Sequence, residues 1–108
     1  MDNPFIVVLI TAPSQEIGEK IATLLIEKRL AACVNITGPV QSLYTWEGKI
    51  NQDEERLLIV KTKADIFEDK FVAAVRSIHP YDVPEIIALP ITMGSRHYLD
   101  WLDEEIRP

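Results

Sequence analysis

The chain has 108 residues, 47% of them hydrophobic, with seventeen acidic and eleven basic side chains and a formal charge of −6. That length supports one domain, residues 1–108, with a single core, and the apolar fraction excludes a disordered chain. The acidic balance, with no Lys/Arg cluster to offset it, repels phosphate backbones and anionic lipid heads, so neither nucleic acid nor a membrane is an expected partner.

Phe5 to Thr11 ("FIVVLIT") is a short, unbroken apolar run rich in β-branched residues, which predicts a central strand covered on both faces. After Pro13, Ser14 is placed to cap a helix running roughly to Lys28. Ile17, Ile21, Leu24 and Leu25 recur at helical spacing, with Lys28 and Arg29 near its end. Ala31 to Trp46 reads as a second strand broken at Gly38-Pro39, "EGK" (Glu47 to Lys49) as a turn, and Arg56 to Thr62 ("RLLIVKT") as a third strand. An arm of about 13 residues at about 3.3 Å each spans about 40 Å, whereas a domain of this size has a radius of gyration near ~13 Å. The hairpin must therefore bend, at Gly38-Pro39, and still project beyond the core. A projecting ribbon bearing Tyr44 and Trp46 is marginal alone, so these two rings are expected at an interface with another copy of the chain.

Asp65 and Glu68 make a capping-box-like start to a second helix whose inward stripe is Phe67, Phe71, Val75 and Ile78. His79-Pro80 ends it. The following "HPYDVPE" (His79 to Glu85) is stiffened by two prolines, which fix their own φ and push the preceding residues towards extended geometry. Glu85 to Thr92 ("EIIALPIT") reads as a fourth strand. Ser95 is placed to cap a short last helix with Tyr98, Leu99 and Leu102 inward and Asp100, Asp103 and Glu104 in water. The order β-α-β-β-α-β plus a C-terminal helix is an α+β, ferredoxin-like arrangement, both long helices on one face of a four-stranded antiparallel sheet. The uncovered face, apolar in its strands, is a second argument for self-association.

"TAP" (Thr11 to Pro13), "AACVNI" (Ala31 to Ile36), "SLYTWEGKI" (Ser42 to Ile50), "VKT" (Val60 to Thr62), "HPYDVPEI" (His79 to Ile86) and "YLDW" (Tyr98 to Trp101) stand in the order and spacing of one family. Through them the chain resembles the CutA family, the divalent-cation tolerance proteins, over nearly its whole length. The resemblance implies a homotrimer similar in architecture to the PII signalling proteins, with the long hairpin joining neighbouring subunits. It also implies an association with metal tolerance, with copper or another divalent cation as ligand and no cofactor required for folding.

The donors available for such an ion are few: His79, His97, Cys33, Met1 and Met93, with no His-x-x-His, Cys-x-x-Cys or Met-rich cluster. Some family members carry a cysteine just before Thr-Ala-Pro and paired histidines before Pro-Tyr. Here those positions are Ile10 and Ile78, which leaves His79, with Cys33, as the metal candidates. Each has a plainer reading: His79 as a cap donating to the last carbonyls of the second helix, Cys33 as a small buried hydrophobe. Lys61, Tyr81, Asp82 and Glu85 are the candidates for a ligand cleft between subunits. No Gly-x-Gly-x-x-Gly, P-loop, Gly-x-Ser-x-Gly or zinc-hydrolase signature is present, so the expected class is non-catalytic: a metal-binding or PII-like small-molecule sensor, or a scaffold for a protein partner. The amino terminus lacks the pattern of an export signal and Cys33 has no intrachain disulfide partner, which together predict a cytoplasmic protein.

Overall fold

Alternation of burial organises the first strand, β1 (Phe5–Ala12): Ile6, Val8, Ile10 and Ala12 are buried while the residues between them are half-buried. The computed structural model describes residues 3–108, so the possible donor Met1 lies outside it. In α1 (Gln15–Glu27) the Ser14 hydroxyl accepts from the Ile17 amide at 3.2 Å, the cap its position predicts. Lys28 and Arg29 fall just beyond the helix. Arg29, at φ 59°, turns the chain in the left-handed region, and its guanidinium reaches the carbonyls of Glu104 and Glu105.

The hairpin is longer than the apolar pattern indicates. β2 (Cys33–Trp46) pairs antiparallel with β3 (Lys49–Lys63), whose polar first half, Asn51 to Glu55, was not expected to be strand. That half is exposed apart from Asn51 and Glu55 and is held by the backbone ladder with Gln41–Gln52 and Tyr44–Asp53 side-chain pairs across it. The register shifts between Ile36 and Pro39, a bulge at the predicted bend. Glu47 and Gly48, at φ 52° and 77°, form the two-residue turn whose twist suits a hairpin.

After β3 the chain makes a 3-10 turn (Ala64–Ile66), a π-helical turn (Phe67–Phe71) and α2 (Val72–Ile78). The expected capping box at Asp65 does not form, since no side chain caps this start. The π turn widens the helix where the Phe67 and Phe71 rings stack 5.7 Å apart. Phe71 and Val75 face inward as predicted and Phe67 packs against the core, but Ile78 is exposed, contrary to expectation, and His79, in extended backbone just past the helix end, is buried instead. β4 (Ile86–Pro90) is shorter than predicted, and α3 (Arg96–Glu105) buries Leu102 but leaves Tyr98 partly exposed. Ser95 precedes α3 without a side-chain cap bond, and Asp103, expected in water, pairs with Lys63 at 2.7 Å.

The sheet order is β2-β3-β1-β4, all antiparallel, with the helical core Ile21, Leu25, Phe71 and Val75 against Val8, Ile10, Leu58 and Val60. β1 is central, as predicted, but within one chain only one of its faces lies in this core. The opposite face presents Val7, Leu9, Ile59, Ile87 and Leu89, of which Ile87 and Leu89 are half exposed.

Candidate functional site

The α2–β4 connector is fastened to the sheet by His79, which is 7% exposed. Its Nδ1 lies 3.2 Å from the Tyr81 amide and its Nε2 2.7 Å from the Thr11 carbonyl. An amide only donates and a carbonyl only accepts, so Nδ1 accepts and the ring proton sits on Nε2. Both nitrogens are thus engaged within the chain. The side chain bonds β1 and not the helix carbonyls that a simple C-cap would reach, while its own amide donates to Val75 at 2.9 Å.

Tyr81 packs its ring 4.8 Å from the imidazole and donates its hydroxyl to Glu55 Oε2 at 2.7 Å. Glu55 is buried, and burial of the phenol, reinforced by this hydrogen bond and the carboxylate's charge, pushes the Tyr81 pKa well above its ordinary value. Further out on the hairpin the Tyr44 hydroxyl donates to Asp53, whose hydrogen bond is the main cause of a raised Tyr44 pKa. Tyr44, Glu55 and Tyr81 face a cavity of about 820 Å³ at the end of the open sheet face. Its walls include Tyr44 and Trp46 from β2, Glu55 from β3, and Tyr81, Asp82, Val83 and Glu85 from the connector.

Three of the four cleft candidates, Tyr81, Asp82 and Glu85, therefore meet. Lys61 does not join them: its amine donates to Asn35, six residues along β3 from Glu55, a separation of about 20 Å for an extended strand. Cys33 lies opposite Lys61 in the β2–β3 register, beside Tyr98, whose pKa is raised first by burial and then by the thiol. The two metal candidates thus sit at different ends of the sheet. Among the described residues no three His, Cys, Asp or Glu side chains gather closely enough to hold a metal ion. The donor set of a single chain does not fit a copper centre, since its imidazole is already bonded at both nitrogens and its thiol is remote.

Tyr44 and Trp46, assigned from sequence to an interface, form one wall of this cavity and are 43% and 48% exposed in one chain. Glu55 was missed. It hides in the polar run Asn51 to Glu55, and the available signal is the alternation Glu55, Leu57, Ile59, Lys61, which puts it on the same side of β3 as the open face.

The fold and this cavity define a small α+β protein of ferredoxin-like topology with a long hairpin, one open sheet face and an acidic, aromatic cleft where hairpin and connector meet. A family model described as CutA1 divalent ion tolerance protein matches residues 6–105. The chain belongs to that family. The divalent-cation tolerance protein CutA of Thermus thermophilus is 54% identical over 98 residues, 91% of this chain and 94% of that protein. The chloroplastic protein CutA of Arabidopsis thaliana is 49% identical over 104 residues, and there the chain spans only 57% of the relative's length. The solved structure of the divalent cation tolerance protein from Thermus thermophilus superimposes with a TM-score of 0.92 at 50% identity, over 95% of this chain and 99% of that one. The crystal structure of CutA1 from Oryza sativa does so at 0.92 and 47% identity, over 96% and 94%.

Proposed function

We propose that the chain works as a non-catalytic homotrimer in the cytoplasm, in divalent-cation tolerance, binding a small ligand in clefts at its subunit seams. The observation that carries this reading is the cavity where the projecting hairpin meets the proline-stiffened connector. Its size falls within the range of small-molecule sites, and its walls come from the elements that a partner copy would have to cover. Copper or another divalent cation enters this site only where neighbouring subunits add donors, because Glu55, Asp82 and Glu85 are carboxylates and the histidine beside them is engaged. A PII-like sensing role follows from the same placement, ligand occupancy and subunit packing being coupled at one seam.

Light scattering combined with calorimetric titration of copper and a metabolite-library thermal-shift screen tests the reading. A trimer that takes up a ligand, with binding weakened tenfold or more in Asp82→Asn/Glu85→Gln, is the expected result. A monomer, or a trimer whose ligand binding ignores that double variant, overturns it.

A further inference from the structure

The cavity's walls carry one sign of charge. Glu55, Asp82 and Glu85 face it with the rings of Tyr44, Trp46 and Tyr81, and no lysine, arginine or histidine lines it. Glu55 is taken up by the Tyr81 hydroxyl, whereas Asp82 and Glu85, among the described residues, make no ion pair or side-chain hydrogen bond. An anionic ligand such as a nucleotide phosphate is repelled by such a wall.

Two kinds of cation remain, and the aromatic rings decide between them. A hard divalent ion is strongly hydrated and needs six or more oxygen ligands in a tight shell, a cluster that the described residues lack. An organic ammonium ion is bulky and weakly hydrated. It is stabilised by ring faces and by carboxylates a few ångströms away, and those are the two kinds of group that line this cavity. Hydrogen bonds to Asp53 and Glu55 fix the hydroxyls of Tyr44 and Tyr81, and the contact with the His79 ring braces Tyr81 further, so this wall is held in place before any guest arrives.

Resting on the cleft reading above, we infer that the ligand class of this site is an organic ammonium cation, held by the aromatic wall of Tyr44, Trp46 and Tyr81 and neutralised by Asp82 and Glu85. The proline-flanked connector then acts as a preorganised anionic arm.

Calorimetric titration of the native assembly with choline and with its uncharged isostere 3,3-dimethylbutan-1-ol, with copper chloride alone and ATP in parallel, tests the assignment. The expected result is choline binding at least tenfold tighter than the isostere. Glu85→Gln, Asp82→Asn and Trp46→Leu should each weaken it fivefold or more, with assembly verified by light scattering. Equal binding of charged and uncharged probes, stronger binding of ATP, or choline binding untouched by Glu85→Gln and Asp82→Asn overturns the ammonium assignment. Copper binding alone, lost in those two variants, also overturns it but leaves the seam-cleft reading standing. Loss of that reading shows separately, as a monomer or as cavity variants without effect on any probe.

Discussion

Tyr81 and Glu55 join the connector to β3 by one hydrogen bond at the edge of the cavity. Glu55 is buried beneath the phenol, so removing the hydroxyl strips a buried carboxylate of its donor, at a cost of about 1–3 kcal/mol. Tyr81→Phe should therefore lower the unfolding free energy read from urea titration at neutral pH by that amount, and an unchanged midpoint and slope would show the bond to be dispensable. The same pair sets an alkaline limit. The phenol's pKa in the folded chain lies above its ordinary value of 10.0, first through burial and then through the Glu55 hydrogen bond. A folded pKa raised above the unfolded one contributes stability that is whole below pH 10.0 and is lost as pH rises through the folded value. Wild-type stability should fall beyond that point more steeply than that of Tyr81→Phe, the difference being read from urea titrations on either side of pH 10.0. Tyr44, raised first by its hydrogen bond to Asp53, and Tyr98, raised first by burial, leave the variant a shallower downward slope of its own.

Turn chemistry and the ladder behind it act at the scale of the element. Glu47 occupies the left-handed region at φ 52°, where an ordinary side chain costs roughly 1–2 kcal/mol and asparagine much less. Glu47→Asn, giving Asn-Gly at the tip, should stabilise the hairpin by several tenths of a kcal/mol. Slower amide exchange in Tyr44 to Asn51 would register that gain, and faster exchange would count against the turn assignment. The turn and the Gly38-Pro39 bend were legible in the sequence because glycine and proline report backbone geometry directly. The first half of β3 was not. On a projecting ribbon with water on both sides, polar residues such as Gln52, Asp53 and Glu54 carry no period-two contrast, and the pairing resides in the backbone. The second helix was legible as a helix, and Phe67, Phe71 and Val75 face the core as its spacing predicts. Its end was not: Ile78 is exposed, and His79, in extended backbone at the C-cap, turns its ring onto the Thr11 carbonyl of β1. Half of the site was readable on the same terms: the proline-flanked connector announces Tyr81, Asp82 and Glu85, while Glu55 and the anchoring bonds of His79 depend on tertiary register.

At the scale of the whole molecule the hairpin draws the chain out to 44 × 27 × 26 Å, with a radius of gyration of 14.4 Å, above the ~13 Å of a compact domain of this length. Its sheet leaves Val7, Leu9, Ile59, Ile87 and Leu89 on one uncovered face, and its outermost strands, β2 and β4, offer unpaired edges within one chain. A contiguous apolar face next to two open edges is an unstable surface for a lone protomer in water. Under the proposed assembly, a charge at its centre should act on association before it acts on the fold. Leu89 suits the test, being half exposed in the single chain and paired by its backbone to Val7, so its side chain is not part of the helical core. Leu89→Lys should shift the light-scattering mass of the wild-type trimer towards the protomer at micromolar concentration. Since association stabilises by mass action, the variant's melting temperature should also depend on dilution over a range where the wild type's does not. A variant that remains trimeric at the same dilution would place the subunit seam elsewhere, away from the face that ends in the cavity.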